Sequence, residues 1–147
     1  MYGRIASNVQ PSTAESGQRE DAQPLLSADI TLSRFGGDET LVSEIAAVFV
    51  RTVPQLMATV TAAVDAGELE RAFHQAHSLK GAVAAFEAPE VLRAVLEVEG
   101  HAKNADAAAT ASAWPAARAL VERLIRELAL LVPAGTTMPA SGANGSR

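Results

Sequence analysis

The sequence of 147 residues contains no cysteine. Disulfide bonds, zinc–thiolate sites, iron–sulfur clusters and thiol nucleophiles are therefore excluded, which leaves histidine, carboxylates, hydroxyls and lysine as reactive groups. Basic residues do not balance the acidic ones, since the formal net charge is −5, and the chain has only one tryptophan and one tyrosine. Without a basic stripe or aromatic residues near one another, we expect no nucleic-acid binding.

Long apolar runs are also scarce. No uninterrupted apolar stretch approaches the roughly 18 residues that cross a bilayer, and no apolar segment follows a basic start. We therefore expect a cytoplasmic chain without membrane contact. Apolar residues make up 48% of the sequence, and with this length they indicate one globular domain of ordinary size.

The two ends differ in composition from the middle. Residues 1–24 are rich in Ser, Gln, Asn and Glu, and residues 133–147 consist largely of Gly, Ala, Ser, Thr and Pro. Such segments bury too little apolar area to offset the loss of chain entropy, so we predict that both are disordered tails or linkers. The predicted domain covers residues 25–132.

The middle of the chain has apolar residues at spacings of three and four and no turn-flanked alternating runs, which predicts an all-α domain. The first predicted helix, residues 28–35, has Ser27 as its N-cap and Ile30 as an inward residue. The pair Gly36 and Gly37 should end it. This short helix is expected to cap one end of the domain.

Two longer helices follow in the prediction. One begins after the N-cap Asp38 and ends at a left-handed Gly67, with a kink but no break at Pro54. The next covers residues 68–86. Its inward stripe is formed by Leu69, Ala72, Ala76, Leu79, Val83 and Phe86.

The last two predicted helices have weaker boundaries. One starts with Pro89 and fades near Gly100, with Leu92 and Leu96 widening its core stripe. The other has Ser112 as its N-cap, which places Pro115 in the first turn. Four helices with short connections predict an antiparallel up-down-up-down four-helix bundle.

The most informative segment lies on the third helix and reads His77, Ser78, Leu79, Lys80, Gly81. His77 falls far from the centre of the apolar stripe, so its imidazole should be exposed. An imidazole is largely neutral near pH 7, and one ring nitrogen is then free to attack phosphorus. Lys80, one turn away, would supply positive charge to the phosphoryl oxygens.

Small residues continue the strip that carries His77. Gly inside a helix costs roughly 0.5–1 kcal/mol relative to Ala, so Gly81 indicates close approach of another molecule. Ala84 lies on the same strip, and we predict that Ser78, Ala84 and His74 contact a partner. A surface histidine without a function would leave Gly81 unexplained.

Three segments of the chain together resemble the histidine-containing phosphotransfer (HPt) domain of two-component phosphorelays. They are Leu32 to Gly37 followed by Asp38 and Glu39, Ala76 to Gly81, and Val91 to Glu99. The likeness covers about residues 27 to 131. It implies that His77 is the phosphorylated residue, that Lys80 neighbours the phosphoryl group and that Gly81 keeps the approach clear.

The same resemblance implies response-regulator receiver domains, a hybrid sensor histidine kinase, or both, as partners. Glu99 matches a recurrent acidic position of the family, although we expect Glu97 and Glu99 to form an exposed face. The sequence departs from the family at Glu87, where a glycine commonly ends the phosphohistidine helix, and at Ala85, where a polar residue is frequent.

A metal site is not predicted. The i, i+3 spacing of His74 and His77 could hold a transition metal, but two imidazoles without a third ligand make a weak site. No cluster of carboxylates suits Mg²⁺, so we expect no cofactor in this chain and Mg²⁺ to come from the receiver partner. His101 is expected to be solvated.

Three classes of function stay open at this point. The favoured one is a phosphocarrier that accepts a phosphoryl group on His77 from a receiver aspartyl phosphate and passes it to another receiver. An enzyme is disfavoured, because no Gly-rich nucleotide loop is present, although the chain could be the phosphoacceptor module of a chemotaxis-type or hybrid sensor kinase. The third is a non-catalytic helical adaptor.

Overall fold

The computed structural model describes residues 24–132, so the predicted tails lie outside it except for Pro24. Within this range the chain forms five helices and no strand, which confirms the all-α prediction. The helices are α1 (Ala28–Arg34), α2 (Glu39–Ala66), α3 (Leu69–Ala84), α4 (Pro89–Lys103) and α5 (Ala107–Ala129).

The four long helices form the predicted bundle. Helix α2 packs against α3 and α5, and α4 packs against the same two helices, while α1 lies on α2. Short connections make consecutive helices antiparallel. The core between them is made of buried apolar side chains, the largest fully buried ones being Val53, Val60, Leu79, Val83, Val91, Val95, Val98, Val121, Leu124 and Leu128.

Local capping explains where α1 and α2 begin and end. The Ser27 hydroxyl accepts the N–H of Ile30, and the Asp38 carboxylate accepts the N–H of Leu41. Gly67 ends α2 with a φ of 71°, in the left-handed region that glycine adopts without strain. These three predicted caps are confirmed, and α2 continues through Pro54 without a break.

The inward residue of α1 was predicted wrongly. Ile30 is 51% exposed, whereas Thr31 is fully buried. A helix of seven residues has too few turns for its apolar spacing to determine which side faces the bundle. In the structure α1 packs against α2 with Thr31 on the inner side. Its hydroxyl has no hydrogen-bond partner among residues 24–132, an arrangement that costs free energy.

The predicted start of the last helix was also wrong. Its N-cap is Asp106, whose carboxylate accepts the N–H of Ala109, and not Ser112. Pro115 therefore lies inside α5. Burial of Thr110 and Trp114 stabilises these additional turns, and the Trp114 indole donates to the Thr61 hydroxyl at 3.0 Å.

Helix α4 differs from its prediction at two positions. It continues past Gly100 to Lys103, and Leu96, expected in the core, is 44% exposed. Leu92, the other residue expected to widen the core stripe, does pack against the core.

Helix α2 qualifies by length and composition as a possible membrane span, the only such helix in residues 24–132, with a mean hydropathy of 1.4 over 18 residues. The sequence prediction missed it because polar residues such as Arg51 interrupt the apolar run. Core helices of bundles meet the same criterion. The inner face of α2 contributes Val42, Ala46, Phe49, Val53, Met57, Val60 and Ala63 to the buried residues.

Candidate functional site

Helix α3 presents His77 on its outer surface. The imidazole is 59% exposed, as the helical wheel predicts, while Ala76 and Leu79 on the inner face are fully buried. The periodicity of the apolar residues fixes the rotation of α3, because only one face satisfies the core. That rotation leaves His77 accessible from solvent.

Glu99 of α4 contacts this histidine directly. Its Oε2 atom lies 2.6 Å from Nδ1 of His77 and 3.2 Å from Nζ of Lys80. The Glu99 side chain is only 11% exposed. A carboxylate removed from water needs charged or hydrogen-bonding partners, and His77 and Lys80 supply them.

The expectation that Glu99 lies on an exposed face was therefore wrong, whereas Glu97 is 62% exposed and lies 3.7 Å from His101. The two glutamates lie on different sides of α4, and the Glu99 side faces α3. Sequence reasoning could have found Glu99 only from its match to a recurrent acidic position, because the contact depends on how α3 and α4 align.

The environment of Glu99 lowers its pKa. Desolvation by burial acts to raise the pKa, but the hydrogen bonds from His77 and Lys80, together with the charges of these two side chains, outweigh it. The pKa of Glu99 therefore lies below the ordinary 4.5. The group is ionised at neutral pH and accepts hydrogen bonds without donating any.

An ionised Glu99 determines the tautomer of the imidazole. Because the carboxylate only accepts, Nδ1 of His77 must carry the hydrogen that bridges the 2.6 Å distance. In the neutral ring the lone pair is then on Nε2. No other hydrogen bond to this ring occurs within residues 24–132, so Nε2 is available to an incoming group.

The strip beyond His77 is open. Gly81, Ser78 and Ala84 are exposed. A Cβ atom added at Gly81 would meet no atom of the described part of the chain within 4 Å. Packing within the domain therefore does not require glycine at this position.

His74 lies apart from the group formed by His77, Lys80 and Glu99. It is 62% exposed, and its Nε2 atom is 4.0 Å from Glu70. His74 and His77 thus have different carboxylate partners. Within residues 24–132, no group of three or more potential metal ligands is present.

The end of α3 is stabilised by a residue from α1. The helix ends at Ala84, two residues before the predicted Phe86. Arg34 donates to the Ala84 carbonyl at 3.3 Å and to the Glu87 carboxylate at 2.8 Å. The Arg34 side chain thus donates a hydrogen bond to a carbonyl at the end of this helix, near the position where a glycine is common in the resembled family.

An aromatic ring that sequence reasoning overlooked lies beside the imidazole. Phe73 precedes His77 by one turn, and the two ring centroids are 6.0 Å apart. The i, i+4 spacing of the two residues was the available signal.

Comparison with known proteins gives one match. A family model described as "Hpt domain" matches residues 44–129, which is more than half of the chain. The matched region contains His77, Lys80, Gly81 and Glu99. No curated protein and no solved structure matches the chain.

Proposed function

Because the chain belongs to the Hpt domain family and thus has a phosphotransfer role in two-component signalling, we propose that His77 carries the phosphoryl group. His77 accepts it from a receiver-domain aspartyl phosphate and passes it to another receiver in a phosphorelay. The observation that carries this proposal is the 2.6 Å contact between His77 Nδ1 and the Glu99 carboxylate on an accessible strip.

The transfer step follows from the tautomer. The Nε2 lone pair attacks phosphorus in line, the N–P bond forms, and the bond from phosphorus to the aspartyl oxygen breaks. The electron pair of that bond leaves with the aspartate, which becomes a free carboxylate. The proton on Nδ1 stays in place. Glu99 stabilises the positive charge that the imidazole ring gains.

Lys80 has two contributions in this proposal. Its side chain is 29% exposed and its ammonium group lies 3.2 Å from Glu99, so it keeps the carboxylate in position. It also lies one turn from His77, within reach of phosphoryl oxygens on Nε2. Replacement of Lys80 by Ala should therefore slow transfer without abolishing it.

The docking surface comprises the strip around His77. Small side chains at Gly81 and Ala84 allow the receiver to approach until its aspartyl phosphate meets Nε2. Ser78 and His74 flank this approach and are proposed contacts. We infer that this domain acts in the cytoplasm without a cofactor of its own and that Mg²⁺ is held by the receiver.

The test is transfer from a receiver domain carrying a radiolabelled aspartyl phosphate. Wild-type protein should acquire label that is labile in acid and stable in base, whereas His77→Gln should acquire none. His101→Gln is the matched control, because His101 lies beside Glu97 and is not a proposed contact, and it should be labelled like the wild type. Equal labelling of wild type and His77→Gln would refute His77 as the acceptor. Binding of the receiver without any label on the wild type would favour an adaptor.

A further inference from the structure

We propose that Phe73 is a positioning residue that sets the plane of the His77 imidazole for phosphoryl transfer. This inference rests on the proposed role of His77 as the phosphoacceptor. It concerns a side chain that is not a member of the hydrogen-bonded group formed by His77, Lys80 and Glu99.

Phe73 is fixed from the inside of the bundle. Its side chain is partly buried and packs against a small core cluster formed by Ala63, Ala72 and Ala102, all at most 4% exposed. The cluster joins α2, α3 and α4 at one end of the bundle. Contact with this cluster restricts the motion of the phenyl ring.

The rings of Phe73 and His77 are neighbours in a suitable geometry. Their centroids are 6.0 Å apart and their planes differ by 32°. On the other side, the ring of His74 meets Phe73 nearly edge-on, with centroids 5.1 Å apart and planes at 62°. Both distances are in the range of favourable aromatic contacts.

His77 needs such a second contact because one hydrogen bond does not determine the orientation of a ring. The bond to Glu99 restrains Nδ1, but hydrogen bonds tolerate tilting by tens of degrees. With 59% of its surface exposed, the imidazole can rock about this contact. A fixed ring beside it restricts that motion.

Orientation matters for the chemistry at Nε2. The lone pair lies in the plane of the imidazole, and in-line attack requires it to point at phosphorus. A ring that rocks spends less time in this orientation. Loss of the phenyl contact should therefore lower the rate of phosphorylation while the acceptor atom stays the same.

The substitution Phe73→Leu separates the effect of the ring on the orientation of His77 from its contribution to packing. Phe73→Leu retains an apolar side chain against the alanine cluster but removes the ring beside His77, whereas Phe73→Tyr retains the ring. The matched control is Phe35→Leu. Phe35 is also partly buried and contacts another aromatic ring, that of Phe86, at 6.2 Å.

The experiment uses phosphoramidate as a small phosphoryl donor, so that receiver docking does not enter the rate. We expect Phe73→Leu to be phosphorylated about fivefold more slowly than wild type, and Phe35→Leu and Phe73→Tyr at nearly the wild-type rate. Three-bond NMR couplings of the His77 side chain should show rotamer averaging in Phe73→Leu only. Thermal unfolding of both leucine variants monitors the loss of packing.

Two results would overturn this inference alone: equal rates for Phe73→Leu and Phe35→Leu, or a Phe73→Tyr variant as slow as Phe73→Leu. Absence of phosphohistidine in the wild type, with phosphoramidate and with a labelled receiver, would instead overturn the proposed function and this inference with it.

Discussion

Replacement of Glu99 by Gln tests the link between the buried carboxylate and the reactive nitrogen. The amide has the shape of the carboxylate, and its oxygen still accepts a hydrogen bond from Nδ1 of His77. It carries no charge, however, and its NH₂ group would take the position of Oε1, which lies 3.2 Å from Nζ of Lys80. The variant therefore changes the electrostatics of the site and leaves its packing intact.

The size of the effect follows from hydrogen-bond energies. Bonds to charged groups contribute about 1.5–3 kcal/mol, and neutral ones about 0.5–1.5 kcal/mol. Since the imidazole is 59% exposed, water competes for it, and we take the lower end of the difference, about 1 kcal/mol. That corresponds to about a fivefold fall in the ratio of the tautomer with a free Nε2 to the other tautomer, and so to a transfer that is slower by up to about fivefold.

Two measurements check this expectation. Long-range nitrogen–proton NMR spectra report which ring nitrogen of His77 carries the proton, and labelled receiver domain reports the transfer rate. Glu97→Gln is the matched control, because Glu97 is 62% exposed and lies near His101. If Glu99→Gln retained the wild-type tautomer and rate, the assignment of Nε2 through Glu99 would be wrong.

Four further predictions concern stability and docking. Because the pKa of Glu99 is lowered in the folded protein, its contribution to the free energy of unfolding should be complete well above pH 4.5 and should disappear as the pH falls through the lowered pKa. The free energies of unfolding of wild type and Glu99→Gln, measured by urea titration, should therefore converge at low pH. A difference between them that did not change with pH would contradict the lowered pKa. Gly81→Ala should stabilise the fold by roughly 0.5–1 kcal/mol, as should Gly100→Ala, since neither added Cβ meets an atom within 4 Å. Gly81→Leu should fold and yet transfer at least about tenfold more slowly, so normal transfer by this variant would refute the clearance role. Thr31→Val should raise the free energy of unfolding by about 1 kcal/mol, because it removes a buried hydroxyl without a partner, and a loss of stability in urea denaturation would show that the hydroxyl is satisfied in solution.

Features that depend on neighbouring residues were predictable from the sequence. The caps at Ser27, Asp38 and Gly67 involve contacts within a few residues, and the apolar period of α3 is enough to place His77 outside the core. The start of α5 was not predictable in this way. Ser112 and Pro115 are strong local signals, but burial of Trp114 against α2 outweighs them.

The candidate site likewise contains residues that the sequence could predict and residues that it could not. His77, Lys80 and Gly81 lie on one helix, so their spacing predicts that they are close together. Glu99 belongs to another helix, and its contact with His77 depends on the alignment of α3 and α4, which no pattern within either helix determines. Phe73 could have been paired with His77 by spacing, but its packing against the alanine cluster required the structure.

Because the space around Gly81 is empty, the property that is selected should decide whether a population of variants retains glycine at this position. Selection for heat tolerance alone favours a better helix former such as alanine at this position, since no atom of residues 24–132 lies within 4 Å of an added Cβ. Libraries screened in the absence of a receiver should therefore drift away from glycine here, and libraries screened for signalling should retain it.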